Sequence, residues 1–98
     1  MIIVTGDVAC TPEAFDEALR LAREHVARSR LEPGCLSHAV HRDVEDPWRL
    51  VFFEEWADRD ALGRHFAVPE SRAFGKALMQ LARRAPTITI YDATRAER

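Results

Sequence analysis

Four histidines, two cysteines and a carboxylate set among aromatic residues are the side chains of this chain best suited to chemistry. His65 stands between Leu62 and Phe66 on the inward face of a short predicted helix, where a neutral imidazole can take or give a proton near pH 7. The same position equally suits a core histidine bonded to a backbone carbonyl. Glu54 and Trp56 share a strand face with Phe52. A carboxylate there is either paired, with Arg42 or His38 of the neighbouring strand as partner, or left in a pocket with a raised pKa as a candidate base. Trp56 and Phe74 read as core aromatics that could also line a flat apolar slot for an aromatic ligand.

Other chemistries find less support. His38 and His41 lie three apart on a predicted strand, so they project from opposite faces and cannot share one metal ion. No second pair of His, Cys, Asp or Glu has ligand spacing, and no metal site is expected. Cys10 and Cys35 are too few for a disulfide framework and would lie at opposite ends of the sheet, so both are read as plain thiols. Gly6 marks a bulge or a close approach by a ligand. There is no Gly-rich phosphate loop, nucleophile elbow or Ser/His/Asp arrangement.

The elements that must position these residues are legible from periodicity. Residues 2–10 form a β-branched strand. Thr11-Pro12-Glu13 then has the cap, the proline and the acidic residue of a helix start. Phe15, Ala18, Leu19, Ala22 and Val26 recur at helical spacing to about Ser29 or Arg30, where Pro33-Gly34 stops the chain. A strand over 35–43 places Leu36, His38 and Val40 on one face. A polar turn leads to a third strand, Trp48 to Trp56, whose centre Leu50-Val51-Phe52-Phe53 is continuously apolar. Asp58 caps a short helix carrying Ala61, Leu62, His65 and Phe66. After Pro69 a further helix runs from about Glu70 to Arg84, with Phe74, Ala77, Leu78 and Leu81 inward. The last strand, Thr87 to Ala93, has Ile88 and Ile90 on one face.

The order β-α-β-β-α-β predicts an α+β, ferredoxin-like fold with a four-stranded antiparallel sheet, built as one domain over residues 1–98 with a polar tail from about residue 94. Two helices cover one face of such a sheet. A continuously apolar strand needs both faces covered, and a second copy of the chain is the simplest cover. A homodimer is therefore expected. The net charge is −2, from 14 basic and 16 acidic residues, with no basic stripe, so neither nucleic acid nor membrane is expected as a partner. Arg83 and Arg84 read as a solvated helix end. No apolar run approaches the ~20 residues that span a bilayer. Met1-Ile2-Ile3-Val4 followed by Thr5-Gly6-Asp7 reads as a strand rather than a signal peptide, and a cytoplasmic location is expected.

A linked set of residues resembles the antibiotic biosynthesis monooxygenase domain over about residues 2–92. The set is Glu32-Pro33-Gly34-Cys35-Leu36, His41-Arg42-Asp43, Pro47, Phe53-Glu54-Glu55-Trp56, Asp58, Ala61-Leu62 and His65-Phe66. The resemblance implies a dimeric α+β barrel with a pocket in each subunit between sheet and helices. It also implies a cofactor-independent oxidation of a small phenol or quinol by O2, with no metal, haem or flavin. His65 matches the family's histidine after the Glu-x-Trp strand and is the expected base or substrate-orienting donor. His38, Glu54, Trp56, Phe66 and Phe74 are the expected pocket residues. Many relatives have an aromatic residue where this chain has His38, and a histidine where it has Glu70. The haem-degrading branch has an Asn early in the first strand, a Trp on the helix after the third strand and a later His ligand. Here Gly6 or Asp7, His65 and a histidine-free Phe74–Leu78 stand in those places, and haem degradation is not expected.

Two other functions fit the same fold. One is an isomerase of small keto compounds, with His65 moving a proton beside a carbonyl. The other is a non-catalytic, ligand-binding or stress-related dimer.

Overall fold

A computed structural model describes residues 1–98. The strands are β1 (Ile2–Ala9), β2 (Cys35–Arg42), β3 (Arg49–Trp56) and β4 (Thr87–Asp92), and the helices are α1 (Phe15–Ser29), α2 (Arg59–Ala67) and α3 (Pro69–Leu81). The sheet order is β2-β3-β1-β4, antiparallel throughout. The expected α+β, ferredoxin-like architecture is thus the one observed. No helix is long and apolar enough to cross a membrane.

The local signals act as their chemistry requires. Thr11 caps a short 3-10 turn, Pro12–Ala14, that leads into α1, its hydroxyl accepting from the Ala14 amide. Asp58 caps α2, its carboxylate accepting from the Ala61 amide at 2.8 Å. Pro69 occupies the first turn of α3, where no amide hydrogen is needed. Along β3, Leu50, Phe52, Glu54 and Trp56 are buried beneath the helices while Arg49, Val51, Phe53 and Glu55 turn away. The central apolar run of β3 therefore divides between the two faces. The outer face carries no layer of its own, and Phe53 and Tyr91 are 39% and 50% exposed there.

Four expectations are corrected. The β2–β3 register shifts between Cys35 and Ser37. This irregularity turns Leu36 outward, away from the face of His38 and Val40, and Cys35 packs instead beside Ile2, Val4, Trp56, Ala61 and Leu62. Helix α3 ends at Leu81 rather than Arg84, because Ala82 is extended and pairs with Cys10 in an isolated bridge. Arg83 and Arg84 are therefore not a helix end. Arg83 pairs with Asp46 at 2.6 Å and Arg84 with buried Asp7 at 2.7 Å. Asp7 also takes Arg49 and the Thr87 hydroxyl, and this set, led by Arg84, holds its carboxyl well below the usual range. Gly6 marks no bulge, since β1 pairs in unbroken register with both β3 and β4. A Cβ there would stand 2.8 Å from the Thr87 carbonyl oxygen, so glycine is what lets β4 approach β1.

The core forms two apolar clusters. One gathers Val8, Phe15, Ala18, Ala22, Leu50, Phe52 and Leu78. The other gathers Ile2, Val4, Trp56, Ala61 and Leu62. On β3, Glu54 falls between Phe52 of the first and Trp56 of the second, so polar chemistry interrupts the core there.

Candidate functional site

The interruption is a group of buried polar side chains drawn from four elements. His25 comes from α1, His38 from β2, Glu54 from β3 and His65 from α2, and each is at most 8% exposed. His38 and Glu54 are direct cross-strand neighbours in the β2–β3 register. His38 Nε2 lies 3.3 Å from Glu54 Oε1, and His65 Nε2 lies 4.0 Å from the same oxygen. The Trp56 indole donates to Glu54 Oε1 at 2.9 Å. Burial works to raise the Glu54 carboxyl, but the adjacent His38 imidazole, the Trp56 donor and His65 outweigh it and hold the group below the usual carboxylate range. Of the two sequence readings, Glu54 is the paired carboxylate, with His38 rather than Arg42 as partner. Arg42 lies over the Phe15 ring instead.

His65 is anchored from outside this group. Its Nδ1 lies 2.9 Å from Glu32 Oε1. An ionised carboxylate only accepts, so Nδ1 carries the hydrogen and Nε2 is the nitrogen turned toward Glu54. The turn before β2 makes this reach available. Gly34 adopts φ +82°, and a Cβ there would come within 2.5 Å of the Ala61 Cβ. Glycine thus seats the turn directly against α2 and brings Glu32 to His65.

An open cavity of about 260 Å³ reaches this imidazole. His25, Glu54, His65, Phe66, Phe74, Gly75 and Ile88 line it, with Ser71 and Arg72. The Ser71 hydroxyl is buried there without a partner. A second cavity of about 180 Å³, lined by Val4, Phe52, Leu78 and Met79 among others, shares Glu54, Gly75 and Ile88 with the first. Together they form an apolar slot with a few polar groups at its inner end, the usual composition of a small-molecule site. The helices stop short of β4, which is why Ile88 and Ile90 remain exposed beside the slot.

His65, Glu54, Phe66 and Phe74 therefore meet at one cavity. His38 and Trp56 stand behind its wall: neither lines the slot, Trp56 is fully buried, and its ring lies 4.6 Å from that of His65. His25 went unread in the sequence. It stacks on Phe74 at 4.1 Å and touches the rings of both His38 and His65. Burial, the two neighbouring imidazoles and the Arg28 cation push it down to about 3. The available signal was its place on the α1 stripe, three residues after Ala22 and four before buried Ser29. Strand geometry sets only His38 and His41 on opposite faces, whereas folding gathers His25, His38 and His65 from separate elements.

The comparisons with known proteins agree on a family. The model of the family described as antibiotic biosynthesis monooxygenase matches residues 1–77. A Synechocystis protein described as uncharacterized is 32% identical over 90 residues, 92% of this chain, and the chain spans 61% of that relative's length. A crystal structure of an antibiotic biosynthesis monooxygenase is 36% identical, superposes with a TM-score of 0.89, and is covered over 97% of this chain and 100% of its own. A structure from Deinococcus radiodurans, described as a candidate enzyme of the same kind, is 28% identical with a TM-score of 0.94, covering 100% of this chain and 97% of its own.

Proposed function

The chain belongs to the antibiotic biosynthesis monooxygenase family, and from that premise we propose that it is a cofactor-independent monooxygenase of a small phenol or quinol. The observation that carries this reading is the open slot ending at His65, whose Nε2 is left free by the Glu32 contact on Nδ1. His65 takes the phenolic proton, and Glu32 steadies the imidazolium that forms. The substrate anion then supplies electrons to O2. For a phenol oxidised at an unsubstituted ring carbon the balance closes without a further reductant: phenol and O2 give a quinone and water, one oxygen atom entering the ring. Phe66, Phe74 and Ile88 give the electron-rich anion apolar walls, and the unpartnered Ser71 hydroxyl is available to a substrate oxygen.

The same reading includes a homodimer. It rests on the family and on the uncovered outer face of the sheet, where Val51, Phe53 and Tyr91 lie among neighbours on β1 and β3 that expect a cover.

Oxygen uptake with a simple hydroquinone, run beside an anaerobic control and in the presence of a chelator, tests the function. One O2 consumed per hydroxyquinone formed, with one oxygen atom of the product taken from O2, is the expected result. Turnover that continues without oxygen would move the protein to the isomerase class, and saturable binding with no turnover would make it a binding module.

A further inference from the structure

We propose that His25, His38 and His65, together with Glu54, form a binding site for one divalent transition-metal ion. The three imidazoles come from three separate elements, all are buried, and their ligand nitrogens lie within 4.8 Å of one another. Glu54 Oε1 adds a carboxylate at 3.3 Å from His38 and 4.0 Å from His65. Tetrahedral zinc at its ordinary bond lengths holds neighbouring ligand atoms about 3.3 Å apart. The spacings of this group, 3.3 Å, 4.0 Å and at most 4.8 Å, are close to that figure. A nitrogen-rich set with one carboxylate suits Zn²⁺, Co²⁺, Ni²⁺ or Cu²⁺ rather than a hard cation such as Mg²⁺.

Two independent observations point to a ligand. His38 has a side chain with no exposure, its Nδ1 has no partner, and its Nε2 has only the loose 3.3 Å approach to Glu54 Oε1, short of a well-formed hydrogen bond. Buried polar groups are nearly always satisfied, because a group left unpaired loses its hydration without compensation. An ion on His38 would satisfy one of its two nitrogens. His65 in turn already has the supporting contact of a metal-bound histidine, a carboxylate accepting from its other ring nitrogen. Trp56 and Phe74 close the group with aromatic surface.

One contact opposes the ion. Arg28 Nη2 lies 3.0 Å from His25 Nδ1, and a guanidinium only donates, so Nδ1 is the accepting nitrogen and Nε2 carries hydrogen. Ligation through His25 Nε2 therefore requires Arg28 to swing away while the ring hydrogen moves to Nδ1. This makes Arg28 a competitor of the ion, with a consequence that can be measured.

The proposal stands apart from the oxidative reading and limits it. An ion on His65 Nε2 occupies the lone pair assigned to the substrate's proton, so the ion and the cofactor-free reaction exclude each other.

Chelator-treated protein is titrated with Zn²⁺ by calorimetry and with Co²⁺ by visible absorption. One ion per chain is expected, with the intense d–d bands of four-coordinate Co²⁺. His38→Ala and His65→Gln, checked for folding by circular dichroism, should each weaken Zn²⁺ binding by more than the roughly 10–100-fold that supporting residues contribute. His41→Ala, on the exposed opposite face, should bind as the unaltered chain does, and Arg28→Ala should bind more tightly. If neither buried variant folds, a Zn²⁺-dependent rise in the melting temperature of the unaltered chain, retained in His41→Ala, carries the test. Binding that survives both buried substitutions or is lost in His41→Ala, or no binding at all, overturns the proposal. Oxygen uptake measured in the same samples separates the two readings: uptake that persists under chelation leaves the cofactor-free reaction standing whatever the titration shows. Uptake lost on chelation and restored by the ion would overturn that reaction while supporting the site.

Discussion

Glu32 Oε1 stands 2.9 Å from His65 Nδ1, across 33 residues of sequence. The turn carrying Glu32 is held against α2 by Gly34, and the imidazole it holds lines the slot beside Glu54. In this relationship Glu32 acts as a positioning residue. Glu32→Ala is expected to lower kcat about tenfold or more, less than the roughly 10²–10⁴ carried by proton transfer itself, with little change in KM. Glu32→Gln, which keeps an acceptor oxygen, should recover part of the loss. An unaltered kcat and pH profile in Glu32→Ala would show that His65 needs no such support.

Gly75 is shared by both cavities, and a Cβ built there meets nothing within 4 Å. Gly75→Phe should therefore fill the slot without disturbing the helix, raising KM for an aromatic substrate at least about tenfold while the melting temperature holds or rises. Glycine inside a helix costs roughly 1 kcal/mol relative to alanine, which favours the second outcome. Unchanged kinetics would place substrate elsewhere.

His25 gives the fold an acid-side weakness. Its pKa falls from 6.5 to about 3 because burial, His38, His65 and Arg28 disfavour its cation more than Glu54 favours it. Between those values the unfolded chain binds a proton that the folded chain refuses, so stability falls as pH falls through this window, by at most about 1.4 kcal/mol per pH unit. His25→Phe keeps the stack on Phe74 and removes the proton. Urea midpoints of this variant should lose less between pH 6.5 and about 3 than those of the unaltered chain, and equal losses would contradict the assignment.

The outer sheet face offers a direct probe of the dimer. Phe53 is 39% exposed at its centre strand. Phe53→Lys places a charge where a second sheet would pack, and sedimentation should show a folded monomer in place of a dimer. A monomeric unaltered chain at micromolar concentration would remove the homodimer from the account.

Much of this was legible because the signals were local. The alternation of Leu50, Phe52, Glu54 and Trp56 follows from strand geometry, and Asp58 and Thr11 cap for reasons contained in their own turns. The pairing of Glu54 with His38 needed only the register of one hairpin. Leu36 misled because a register shift is a backbone event with no residue type to announce it. The early end of α3 depends on Cys10 claiming Ala82 from across the fold. His25 escaped because the α1 stripe was read for apolar residues alone, although the period itself runs through it. The Glu32 contact depends on where two distant turns meet, and no spacing within the chain reveals that.

The central claim is that His65 carries the proton step at the end of the slot. Its most direct test is the oxygen uptake rate of His65→Ala against the unaltered chain, with one hydroquinone, under chelation, and with both proteins shown to be folded. The account predicts a fall of roughly 10²–10⁴-fold, the usual worth of a positioned base. A folded variant that consumes oxygen at the unaltered rate would contradict it.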